Sequence, residues 1–189
     1  MSGASAPRVT GLPPVAAPDA HTLVLGTMPS VASLAAGEYY GHPRNAFWDV
    51  VDAIGVERDR PYRERCAALC ERGFALWDVL AECVRAGSLD AAIRDPAPND
   101  LARFVRAHRA LRRVWFNGQT ARRLFERHAA GPLQPLLDER AIALATLPST
   151  SPANTARAKR DVWRAALVDA LASAQPPAPA RPAGRGSAR

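Results

Sequence analysis

Four short apolar runs punctuate the chain: 22–26 (TLVLG), 74–78 (FALWD), 112–117 (RRVWFN) and 141–146 (AIALAT). None shows the strict apolar–polar alternation of a half-exposed strand, so they predict strands covered on both faces. Helical spacing fills the intervals. In 45–54, Phe47, Val50, Val51 and Ile54 share one side and Gly55 stands where a C-cap glycine belongs. Pro61 opens 62–72, which carries Tyr62, Cys66, Leu69 and Cys70 before Gly73. Asn99 or Asp100 can cap 100–110, with Leu101, Phe104, Val105 and His108 on one face. A shorter helical pattern covers 119–129, and a final helix at 155–172 groups Val162, Ala166, Leu167, Ala170 and Leu171. Strands alternating with helices predict an α/β domain, a parallel sheet with helices on both faces. Ligands of such sheets sit beyond the carboxyl ends of the strands, so the loops after Gly26, Asp78, Asn117 and Thr146 are the ones to search.

The ends read differently. Residues 1–20 and 174–189 are rich in Ala, Pro and Gly with little periodicity, and both are expected to be disordered around a single domain at 21–173. A chain of 189 residues with 48% apolar and 23% charged residues suits one soluble core. No apolar run reaches the ~20 residues of a membrane helix and no secretory signal opens the chain, so a cytosolic monomer is expected. The net charge is +7, and of 25 basic residues only Lys159 is a lysine. Arginine favours phosphates, which puts nucleic acid first among partners. Cys66, Cys70 and Cys83 are too few for a four-cysteine cluster, and the first two fall on a helical pattern as small apolar residues. Neither metal nor cofactor is expected.

Two of the four loops carry chemistry. The first, GTMPSVASLAAGEYYGHPRNAFW (26–48), bends at Gly26 and Pro29 and presents two tyrosines suited to stacking on a flat ring. Pro43 fixes the backbone ahead of Asn45, whose amide can either cap the following helix or face a cleft. The last, LPSTSPAN (147–154), sets three hydroxyls between Pro148 and Pro152. It can hold phosphate oxygens ahead of a helix N-terminus or serve as an ordinary capped turn.

In order and spacing, GTMPSVAS, YYGHPRNAFW, ALWDVLAECVRAGSLD, FNG and LPSTSPAN resemble the hypoxanthine-DNA glycosylases, family six of the uracil-DNA glycosylase superfamily, over residues 24–165. The resemblance implies a three-layer α/β/α fold around a central four-stranded parallel sheet. It also implies an enzyme of base excision repair that flips a deaminated base, uracil or hypoxanthine, out of DNA and hydrolyses its N-glycosidic bond. The alternatives are a noncatalytic lesion- or abasic-site-binding protein on the same fold, and a small-molecule hydrolase.

Carried over by position, Asn45 matches the catalytic residue that orients the attacking water. Base-binding roles fall to Tyr40 as the stacking platform, to Gly26, Thr27 and Met28 of the first loop, and to Asp78 and Asn117 as edge readers. DNA-binding roles fall to Ser33, to Ser149, Thr150 and Ser151, and to Asn154, Arg157 and Lys159. Leu147 is the candidate wedge for the gap left by the flipped base. His42 is expected to hold the loop through backbone hydrogen bonds. Since a lyase needs an amine and Lys159 belongs to the DNA-gripping segment, the enzyme is expected to be monofunctional.

Overall fold

The computed structural model describes residues 6–174. Its central sheet contains Thr22–Gly26 (β2), Phe74–Asp78 (β3), Arg113–Asn117 (β6) and Ala143–Leu147 (β7), all parallel, in the order β3-β2-β6-β7. Every residue of β2 is buried, as expected for an inner strand covered on both faces. Side chains alternate across the sheet. Leu23, Leu25, Ala75, Val114 and Phe116 join one apolar core, while Val24, Phe74, Leu76 and Trp115 join the other. The first core is closed by Leu101–Ala107 (α4), Gln119–His128 (α5) and Ala130–Glu139 (α6). The second is closed by Phe47–Val50 (α2) with its 3-10 extension to Ile54, by Tyr62–Glu71 (α3) and by Lys159–Ala174 (α7). Three layers result.

A second sheet was not anticipated. Arg8–Thr10 (β1), Leu80–Val84 (β4) and Arg94–Pro98 (β5) form an antiparallel sheet in the order β1-β4-β5. The expectation of a disordered N-terminal segment fails from residue 7 onward. Pro7 O accepts Arg85 N–H, Gly11 N–H bonds Ala81 O, and Val15 bridges Leu76. Residues 1–5 and the Pro/Arg-rich tail from 175 lie outside the described residues. Val31–Ala36 (α1) and α6 add two helices to the expected set, the latter with Pro135 in its interior. The last helix starts at Lys159 rather than 155, so a turn separates it from the loop that follows β7.

Because the four strands are parallel, their carboxyl ends Gly26, Asp78, Asn117 and Leu147 lie along one edge of the sheet. Gly26 pairs with Asp78 and Asn117 with Leu147 in register.

Candidate active site

A cleft of about 370 Å³ opens along that edge. Its floor is built from strand ends, and its two walls are the loops singled out in the sequence. Among the lining residues are Gly26, Thr27, Met28, Tyr40, Asn45, Asp78, Asn117, Ser149 and Ser151.

Asn45 lies on a turn held by its own neighbours. His42 O accepts Asn45 N–H at 2.8 Å, and His42 Nδ1 accepts Arg44 N–H at 3.1 Å, the loop-holding role expected of that histidine. Asn45 Oδ1 accepts Phe47 N–H at 3.0 Å, so the amide both braces the turn that enters α2 and borders the cleft. One lone pair of Oδ1 remains, and no hydrogen bond among the described residues uses Nδ2.

The adjacent tyrosines divide their labour. Tyr39 is buried in the core, its hydroxyl donating to Leu12 O and its carbonyl accepting Trp48 Nε1–H. Tyr40 adopts the left-handed φ of 55° and stacks on Phe47 with ring centroids 4.1 Å apart at 26°. This unusual backbone turns successive aromatic rings to different sides. The Tyr40 hydroxyl is buried without a hydrogen-bond partner, and burial beside Asp78 drives its pKa upward.

Asp78 is 4% exposed, and its Oδ2 is likewise buried and unpartnered. Desolvation is the main cause that pushes its carboxyl up to about 8, with the Asp90 charge adding and Arg85 opposing. A carboxyl of this kind stays protonated at neutral pH and can donate as well as accept. Gly26 makes the room: a Cβ there would overlap Asp78 Oδ1 and lie 3.6 Å from the Tyr40 hydroxyl. Asn99 Nδ2 donates to Asp78 O at 2.9 Å and holds the strand end.

Asn117 lines the cleft and commits one donor and one acceptor to the opposite loop: its Nδ2 donates to Thr150 Oγ1 and its Oδ1 accepts Thr150 N–H, both at 2.8 Å. Thr150, 1% exposed, is correspondingly buried, and its O accepts Ala46 N–H at 3.0 Å, joining the two motif loops. Gly118, at φ +100°, permits this closeness, since a Cβ would come 2.9 Å from Ser149 Cβ.

The other DNA-binding candidates separate in the same way. Ser149, Ser151 and Asn154 line the cleft. Asn154 Nδ2 donates to Ser149 O and its Oδ1 accepts Ala156 N–H, closing the loop upon itself. Lys159 Nζ donates to Ser151 O at 3.0 Å and to Asn154 O at 2.5 Å, so the lone lysine braces the loop from behind. Arg157 is exposed and outside the cleft. Ser33, 3% exposed, also lines the cleft, its hydroxyl accepting Gly41 N–H. Met28 is 7% exposed and belongs to the first core while touching the cleft. Thr27 Oγ1 donates to Asp90 Oδ2 at 3.2 Å. Leu147 ends β7 and packs half-buried against the second core, so it is not free to act as a wedge.

Residues 85–90 complete one wall, and sequence reasoning gave them no role although they fall within the ALWDVLAECVRAGSLD block. Ser88, Leu89 and Asp90 line the cleft, and Arg85 is 1% exposed beneath it with Nε and Nη1 unpartnered. Cys66 and Cys70 are half-buried, Cys83 is buried, and all three are free thiols. No helix among the described residues is long and apolar enough to cross a membrane.

The family model of the uracil DNA glycosylase superfamily matches residues 13–172. The hypoxanthine DNA glycosylase of Methanosarcina acetivorans is 35% identical over 146 residues, covering 76% of this chain and 87% of that protein. Its namesake from Methanosarcina barkeri is 30% identical over 161 residues, covering 83% and 96%. The solution NMR structure of a Methanosarcina acetivorans protein provisionally named a uracil DNA glycosylase superposes with a TM-score of 0.71 at 32% identity, over 87% of this chain and 99% of that one. By its sequence, its fold and the make-up of its cleft, the chain is a DNA glycosylase that belongs to the uracil DNA glycosylase superfamily.

Proposed function

We propose that the chain is a monofunctional glycosylase of base excision repair whose preferred base is hypoxanthine, with uracil as a secondary substrate, acting as a cytosolic monomer. The observation that carries this reading is the convergence on one cleft of the Asn45 carboxamide, the Tyr40 ring and the unpartnered Asp78 carboxyl. Both deaminated bases present an N–H beside a C=O. A protonated carboxyl meets that pair with two hydrogen bonds, its hydroxyl donating to the carbonyl and its carbonyl accepting the N–H. An ionised one would oppose the base carbonyl. The names of the two methanosarcinal relatives favour the purine.

In this reading Tyr40 borders the extruded base and replaces part of the stacking lost from the helix. Asn45 orients a water toward C1′ of the deoxyribose. The glycosidic bond breaks with its electron pair leaving on the base, the water oxygen bonds to C1′, and the water's proton passes to solvent. Extrusion and alignment supply most of the rate, because the sugar needs only a placed nucleophile once it is cationic. Ser149 and Ser151 contact the phosphates that flank the lesion.

The test is incubation with matched duplexes carrying deoxyinosine or deoxyuridine, followed by detection of free base. Hypoxanthine release faster than uracil release is expected, with an intact abasic site left behind. Release of neither base would overturn the reading.

A further inference from the structure

Extruding a nucleotide leaves a hole in the base stack, and an apolar side chain that enters it offsets the unstacking. Leu147 is committed to the core. Among the described residues the most exposed large apolar side chain is Leu89, at 68%, and it stands on the lip of the cleft. Val31, 54% exposed, adjoins it through its N–H bond to Ser88 Oγ.

The loop bearing Leu89 is held in place. Gly87 turns it with a φ of +70°, a short 3-10 segment follows at Asp90–Ala92, and three bonds tie it to the loop after β2. Ser88 Oγ accepts Val31 N–H at 3.0 Å, Asp90 Oδ2 accepts the Thr27 hydroxyl at 3.2 Å, and the Arg85 guanidinium donates to Pro29 O. Two of these anchors, Ser88 and Asp90, are the immediate neighbours of Leu89. A leucine left in water between anchored neighbours, on a cleft that Ser149, Thr150 and Ser151 also line, is placed for an apolar partner that arrives with a phosphate backbone.

We infer that Leu89 is the wedge: it enters the duplex at the vacated position, with Val31 against the adjoining base. The inference rests on the glycosylase reading. It assigns the insertion to the loop joining the small antiparallel sheet, and phosphate contact to the loop after β7.

The test uses single-turnover release by the full chain from deoxyinosine in duplex and in single-stranded DNA, with Leu89→Ala and Leu89→Met. A single strand has no stack to fill. Leu89→Ala is expected to slow the duplex reaction by about tenfold to a hundredfold and to leave the single-strand rate within about twofold, with Leu89→Met restoring most of the duplex rate. A second readout needs no turnover. On a duplex carrying 2′-fluorodeoxyinosine, whose fluorine disfavours the cationic sugar, a neighbouring 2-aminopurine should brighten on binding the native chain and brighten less with Leu89→Ala. Equal slowing on both substrates, no slowing on either, or an unchanged 2-aminopurine signal would overturn the wedge. Failure of the native chain to release base from any substrate would instead overturn the glycosylase reading.

Discussion

Asn117 and Thr150, thirty-three residues apart, hold each other through two hydrogen bonds of 2.8 Å. The side-chain amide of one saturates the backbone N–H and hydroxyl of the other, so the end of β6 fixes the loop after β7. Asn117→Ala leaves the Thr150 N–H buried and unpaired, which costs about 1–3 kcal/mol. Urea unfolding should register that loss. Base release should fall as well, because Thr150 O also holds Ala46 beside Asn45. Unchanged stability would mean that the loop keeps its place without the amide.

Asn45→Ala removes the positioned carboxamide and with it the orientation of the attacking water. Single-turnover release should drop on the order of 10²–10³-fold, the usual loss for one preorganised polar group, while retention on lesion DNA stays close to native. Full activity would reduce Asn45 to a brace of the turn that enters α2.

Asp78 makes the rate depend on pH. With the carboxyl pushed up to about 8, its donating form is lost above that value and release should decline there about tenfold per pH unit. Asp78→Asn keeps one donor and one acceptor at every pH, so its profile should be flat across the same range. The folded pKa stands above the ordinary 3.8, hence the native state takes up a proton that the unfolded chain releases. The stability contribution is full below pH 3.8 and is lost as pH rises toward 8. Asp78→Asn should therefore gain stability over the native chain across that window, by a few kcal/mol at the top of it. Thermal melts at pH 5 and pH 8 check the sign.

Gly26→Ala places a methyl group where the Asp78 carboxyl lies. The displaced carboxyl no longer faces the base, so Kd should rise severalfold for a duplex carrying deoxyinosine and change little for one carrying a bare abasic site. Unchanged affinity for both would show that Gly26 serves the strand alone.

Lys159 is the only lysine, and its ammonium is bound to the carbonyls of Ser151 and Asn154. Borohydride treatment during turnover should trap no covalent adduct through it. Lys159→Ala should still release base, at a rate reduced by the loosened loop by about tenfold or less. A trapped adduct that disappears with Lys159→Ala would reveal a lyase.

The four strands of the main sheet were legible to within two residues because continuous apolar runs have few other uses in a chain of this size. The small sheet was not. Arg8–Thr10 is only three residues long, Arg94–Pro98 carries two prolines that fit only an edge, and β4 follows β3 after the single residue Val79. Pattern cannot show one segment leaving one sheet for another. In the cleft, Asn45, Tyr40 and Asp78 could be placed from the loops they occupy. The pairing of Asn117 with Thr150 could not, because a strand-end amide reads alike whether it meets a ligand or a neighbouring loop. Leu147 and Leu89 are the same residue type, and only burial separates the one packed in the core from the one in water.

The three-residue strand at the amino end lies upstream of the region that matches the family, which begins at residue 13. Its hydrogen bonds run along β4, the strand that leads directly into the turn carrying Leu89. A shortened expression product cut at the family boundary would thus keep the whole catalytic floor and lose the brace behind its apolar lip. Such a product should melt lower, because the buried Tyr39 hydroxyl loses the Leu12 carbonyl as well, and should handle paired DNA poorly while its cleft floor stays in place.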